Sequence, residues 1–150
     1  MRDKVIQMDY GWKYASCCPF NWMVADLWRG VQAEQNYLVA LGLFSYSEAI
    51  GRMILGTTGK GGGGATPFRE FTEKYVGYSF ADWDAVFGSF RNGLAHEFYI
   101  KRYGSAVYND DGSAPCGIDV SGGSFVIRIH SYFRHFVGGL ERALAAGVLH

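Results

Sequence analysis

Residues 79–96 read SFADWDAVFGSFRNGLAH. Phe80, Trp83, Phe87, Phe90 and Leu94 recur at alternating intervals of three and four, which puts one apolar face on a helix. Ser79 followed three residues later by Asp82 resembles a capping box at its start. Gly93 predicts its end, because glycine forfeits more backbone entropy in a helix than any other residue.

The same period extends upstream. From Asn21, Val24, Leu27, Trp28 and Val31 repeat at helical spacing, and Leu43, Tyr46, Ile50, Met53 and Ile54 do so again, predicting two helices or one bent helix. Residues 1–20 read as an irregular arm broken at Pro19. The run GTTGKGGGG cannot hold a helix, so residues 56–65 form a glycine-rich loop. Thr66 and Pro67 make an N-cap and first-turn pair for a short helix carrying Phe68, Phe71 and Tyr75 as far as Gly77.

Downstream the period changes. Turn chemistry at Asp111-Gly112, Pro115 and Ser121-Gly122-Gly123 separates Tyr- and Val-containing runs. In SFVIRIH, Phe125, Ile127 and Ile129 share one face, and Val126, Arg128 and His130 the other, as in a half-buried strand. Residues from about 98 to 130 therefore read as an antiparallel β-hairpin insertion. Phe133, Phe136, Val137, Leu140 and Leu144 then form the stripe of a closing helix that stops near Gly147. The fold class is mainly α: one domain over 1–150, a four- to five-helix bundle with a small hairpin inserted before the last helix.

Composition bounds the function. Fourteen Lys plus Arg balance fourteen Asp plus Glu, so no strong long-range field draws nucleic acid, and any such site must be local. Hydrophobic residues make up 49% of the chain, enough to oppose the chain entropy that keeps polar sequences disordered. Aromatic residues reach 17%, and their large apolar area suits a homodimer face as well as a core. Cys17, Cys18 and Cys116 are an odd number without a CxxC or Cys/His cluster, so neither a disulfide framework nor a zinc site is indicated and a reducing, cytoplasmic setting fits. Glu48 and Arg52 interrupt the most apolar stretch, Tyr37 to Leu55, so no membrane span is expected.

Arg91-Asn92-Gly93-Leu94-Ala95-His96 carries the most chemistry. An ideal helix turns about 100° per residue, which sets positions 91 and 96 about 140° apart. A helix that loosens or ends at Gly93 lets a guanidinium and an imidazole face one cleft, with the Asn92 amide beside them. Arg holds phosphate oxygens in a planar fork, and His exchanges protons near neutral pH. Metal-free RNA cleavage needs both, to assist attack of a 2′-hydroxyl on its neighbouring phosphate. Two plainer roles compete: Arg91 offsets the negative end of its helix, and His96 caps the same turn. Glu48, set among apolar residues, is either a buried partner for Arg91 across the bundle, since a desolvated carboxylate requires a cation or several donors, or, as is more common for such a residue, turned to solvent.

RNGLAH resembles the R-x4-6-H signature of HEPN domains, small helical proteins in which a polar residue, here Asn92, follows the Arg. Looser similarity covers residues 21–146. The resemblance implies a homodimer that places two signatures across its interface, and metal-independent endoribonuclease activity carried by Arg91, Asn92 and His96. It implies no cofactor and no metal, with RNA or a nucleotide as ligand and an antitoxin or other protein as partner. In HEPN toxins paired with nucleotidyltransferases, His-x-Tyr closes the signature; here Phe98 stands two residues after His96 and Tyr99 follows it. The alternatives are a non-catalytic HEPN-like dimer that binds a nucleotide or a partner, and an unrelated helical interaction module.

Other motifs are weaker. Gly59, Gly61 and Gly64 satisfy GxGxxG trivially within a glycine run, with no strand before them. His130 and His135 lack a nearby carboxylate pair for a metal. Lys101, Arg102, Arg128 and Arg134 form a local basic rim if the strands pair, with Tyr99, Tyr103 and Tyr108 available to stack on bases.

Overall fold

The computed structural model describes residues 18–60, 64–97, 106–110, 117–120 and 125–149, with the backbone alone for Cys18, His96, Glu97 and Ala106. It is mainly helical. In chain order the elements are α1 (Cys18–Gln32), α2 (Asn36–Ile54), α3 (Ala65–Phe71), a wide π-helical turn (Thr72–Val76), α4 (Trp83–Phe87), a second wide turn (Gly88–Asn92) and α5 (Gly93–Glu97). Strands β1 (Ala106–Tyr108), β2 (Ile118–Asp119) and β3 (Val126–Arg128) precede the last helix, α6 (Ile129–Ala145). Since the wide turns continue their helices, the described residues form five helical rods and a small three-stranded sheet. No described helix is long and apolar enough to cross a membrane.

Local chemistry moves several boundaries from where the sequence pattern puts them. Pro19 lies within α1 as described rather than ending the arm. Residues 1–17 of that arm lie outside the described residues. Gly64 rather than Thr66 caps α3, so the helix starts inside the span read as loop. Asp82 is the N-cap of α4, its carboxylate accepting from the Ala85 N–H at 2.8 Å. Ser79 makes no capping box; its hydroxyl donates to Glu73 at 3.3 Å.

The largest correction is at Gly93. Its backbone is right-handed helical, φ −60° and ψ −52°, and the chain stays helical to Glu97. The loosening occurs earlier, over Gly88–Asn92, where the Gly93 N–H reaches back five positions to the Gly88 carbonyl. The wide turn rephases the rod so that Phe87, Phe90 and Leu94 all stay in the core. Thr72–Val76 repeats the device and closes on Gly77 in the left-handed region, φ 90°, its N–H bonded to the Thr72 carbonyl at 2.8 Å.

The sheet also departs from a simple hairpin. β3 is central: β1 pairs with it in parallel and β2 antiparallel, in the order β1-β3-β2. The alternation read in SFVIRIH holds, with Ile127 and Ile129 fully buried. Only Val126–Arg128 of it is strand, however, since Ile129 already begins α6. Parts of the segment, residues 98–105, 111–116 and 121–124, lie outside the described residues.

The core is aromatic. Phe44 of α2 stacks on Phe68 at 5.0 Å and on Phe90 at 4.9 Å, joining three rods at one ring. Phe71 meets Phe136 edge to face at 5.8 Å, and Trp28 stacks on Phe133 at 5.7 Å, seating α6 across the others. α2 and α3 touch at their backbones: a Cβ on Gly51 would stand 1.8 Å from the Pro67 carbonyl oxygen. That close approach sets the height of α3 beside Glu48 and Arg52, which share the last turns of α2.

Candidate functional site

Glu48 is 7% exposed, close to the end of α2, on the face that Phe44 and Gly51 also occupy. A carboxylate so desolvated is costly unless cations answer it, and two do. Arg52, one helical turn on, donates from Nε at 3.2 Å and from Nη2 at 3.0 Å, both to Oε1. Arg91 crosses from the second wide turn and sets its Nε 3.4 Å from Oε2. The partnership between Glu48 and Arg91 expected from the sequence is therefore formed. The Arg91 contact is ionic rather than a hydrogen bond, because the N–H is not aligned on the oxygen although Nε is buried.

The rest of each guanidinium has a different task. Arg52 donates from Nη1 to the Lys60 carbonyl at 3.2 Å, which ties the loop after α2 to the cluster. Arg91 donates weakly from Nη1 to Asn92 Oδ1 at 3.4 Å, and one third of its side chain is exposed. Asn92 is exposed beside it. One negative and two positive charges leave the cluster with a surplus positive charge in a chain that is neutral as a whole.

Of the three signature residues, Arg91 and Asn92 are brought together at the surface. His96 lies on α5, and its side chain is outside the described residues. The backbone from Arg91 to His96 is helical, so the two positions do not converge by unwinding at Gly93. The role of Arg91 as a cation ending its helix does not apply either, since helix continues beyond it to Glu97. Arg52 was not singled out by the sequence pattern. Its spacing of four from Glu48, the favourable order for an acidic then basic pair, is the signal that marks it.

A second polar group lies in the core. The hydroxyls of Ser47, Thr72 and Tyr132 are buried together, near enough to act on one another yet not aligned in hydrogen bonds. Burial pushes the Tyr132 hydroxyl up to about 12, and Ser47 and Thr72 work in the opposite direction. A phenol that stays protonated to such a pH is no base at neutral pH, so this cluster belongs to packing.

Arg128 stacks over the Tyr108 ring at 5.8 Å, and Arg134 is exposed on α6. Lys101, Arg102, Tyr99 and Tyr103 of the rim lie outside the described residues, as do Cys17, Cys116, Phe98, Gly61 and the side chain of Cys18. The ring of His135 sits 5.2 Å from that of Tyr78, while His130 occupies the first turn of α6. Among the described residues no three His, Cys, Asp or Glu side chains gather as a metal site would require. No family model, curated protein or solved structure matches the chain.

Proposed function

We propose that this protein is a HEPN-like, RNA-directed homodimer that cleaves RNA without a metal, with Arg91 stabilising charge on the phosphate, Asn92 orienting it and His96 moving the proton. The observation that carries the reading is Arg91 itself. It is the first residue of the RNGLAH signature, it is anchored at Nε by a buried carboxylate, and its outer edge is exposed beside Asn92. A wide turn at this position adds support, since such turns inside helices recur at functional sites.

The helical path between Arg91 and His96 favours a composite site. Positions five apart on a helix diverge by about 140°, so the two groups meet by facing each other across a two-fold axis. Single-stranded RNA incubated with the protein in EDTA should yield cyclic-phosphate ends. Arg91→Ala and His96→Ala should each abolish this, His96→Ala with little change in Tm and Arg91→Ala with some loss of stability, since it removes one of the two cations facing Glu48. Mixing the two inactive variants should restore part of the activity, because a mixed dimer holds one complete site. Wild-type protein inert toward RNA, or cleavage that survives His96→Ala, rejects the mechanism; no recovery on mixing rejects the composite site.

The ion cluster favours a second reading, a non-catalytic dimer in which Arg91 serves the bundle. In that case Arg91→Ala lowers Tm strongly, and RNA is untouched at any protein concentration.

A further inference from the structure

We propose that Glu48 is the positioning residue for Arg91, and that Arg52 gives the pair the positive charge it needs to hold a phosphate. This inference rests on the ribonuclease reading for its catalytic consequence, but the arrangement it describes can be tested without any RNA. The argument begins with the two oxygens of Glu48. Arg52 occupies Oε1 with both Nε and Nη2, at 3.2 and 3.0 Å, which leaves Oε2 facing Arg91. Arg52 is itself fixed at its third nitrogen by the Lys60 carbonyl. The carboxylate is thus held from one side and presents a fixed edge to the other.

The consequence for Arg91 is directional. With Nε turned inward on Glu48 and Nη1 toward Asn92, Nη2 meets no acceptor among the described residues. A guanidinium is a rigid planar fork, so fixing one edge fixes where the other points. Left to itself, an arginine at a surface samples many rotamers, and each productive encounter must then pay for ordering it. Glu48 removes that cost before the substrate arrives.

Charge explains the second arginine. A Glu48–Arg91 pair alone is neutral and offers a phosphate no net attraction at distances beyond contact. Arg52 restores one positive charge while each of its three nitrogens already donates within the protein, which holds it in place beside the pair. An overall neutral chain gains local attraction for an anion in this way.

The experiment uses the 150-residue chain, three test variants, Glu48→Gln, Arg52→Gln and the double variant Glu48→Gln/Arg52→Gln, and Arg91→Lys as an assignment control. Two properties are followed, RNA cleavage in EDTA and the side-chain Nε–H resonance of Arg91 in ¹⁵N spectra, assigned by its loss in Arg91→Lys. In the wild type that resonance should be sharp and slow to exchange; in Glu48→Gln it should exchange like a free arginine. Cleavage by Glu48→Gln should fall about a hundredfold in kcat with KM nearly unchanged, as expected when a catalytic group is misplaced. Arg52→Gln should instead raise KM several-fold.

The double variant covers the case in which Glu48→Gln alone fails to fold, since it removes both the carboxylate and the second cation. Its Arg91 resonance should also be free. A fast-exchanging Arg91 Nε–H in the wild type, or one unchanged in Glu48→Gln or the double variant, overturns the positioning role whatever the RNA does. Folded Glu48→Gln that cleaves at the wild-type kcat overturns it as well. Wild-type protein that leaves RNA intact while Glu48 still governs the resonance defeats the ribonuclease reading, and with it the catalytic role assigned to the pair.

Discussion

Tyr132 shows how much of this protein's behaviour resides in single buried groups. Its ring is fully buried against Phe44 and Tyr78, and burial is the main reason its hydroxyl titrates near 12 rather than near 10. In the unfolded chain the phenol releases its proton from about pH 10. The folded pKa is raised, so this contribution to stability is fully present below pH 10 and is lost as pH climbs toward 12, by about 1.4 kcal/mol per pH unit at most. Tyr46, raised by partial burial and by Asp26, adds a smaller effect of the same sign. Urea unfolding measured from pH 9 to 12 should show the fall, and Tyr132→Phe should flatten most of it while changing stability at pH 7 by no more than about 1 kcal/mol, since the lost hydroxyl has no aligned partner. An equally steep fall in the phenylalanine variant would refute this assignment. The sequence makes Tyr132 inconspicuous, because a tyrosine one place before the Phe133 stripe reads as its edge. Glu48 is the opposite case: a lone carboxylate in an apolar run either turns to solvent or finds buried cations, and here it finds two, Arg52 and Arg91.

At the scale of elements, the rods follow from apolar spacing, but their ends do not. Spacing is set by which side chains must face the core, a constraint repeated at every turn and therefore easy to read. Ends depend on one or two hydrogen bonds, so Thr66 and Ser79 each pointed two or more residues away from the observed cap. The wide turn at Gly88–Asn92 has no pattern of its own, because a single added residue leaves intervals of three and four that an ordinary helix also produces. Backbone contact between rods is equally hidden, and Gly51 tests it. Adding a Cβ there sets it 1.8 Å from the Pro67 oxygen, and the obstacle is main chain that cannot rotate aside. Gly51→Ala should therefore cost about 3 kcal/mol or more, at or above the upper range for overpacking. Gly88 is the internal comparison: its backbone is right-handed, φ −62° and ψ −40°, with open space where a Cβ would stand. Gly88→Ala should raise stability by about 0.5–1 kcal/mol. Equal melting temperatures for the two variants would mean that α2 and α3 are not held at contact distance.

For the whole molecule, topology and charge have different origins in the sequence. The mainly helical class and the small sheet before α6 are legible from the change of period after residue 97, whereas the parallel pairing of β1 with β3 is not, since pairing direction is set by the path of the connecting chain and not by strand residues. Charge is legible outright. Equal numbers of acidic and basic residues give the surplus charge at Glu48, Arg52 and Arg91 no support from the net charge of the chain. On the proposed reading, a bound single strand then has few phosphates neutralised, and each contributes about −0.7 to the slope of log Kobs against log salt concentration. A slope between about −0.7 and −1.5 is expected, one or two phosphate contacts per site, against much steeper values for proteins with basic grooves. Fluorescence anisotropy of a short labelled RNA, titrated with the His96→Ala protein from 50 to 300 mM salt, measures it directly. Arg91→Ala should reduce the slope by one contact and Arg134→Ala should leave it unchanged, because Arg134 lies on α6 rather than in the cluster. A slope several times steeper would place the RNA on a broad cationic surface, and Arg91 would then be one contact among many rather than the group that fixes the scissile phosphate.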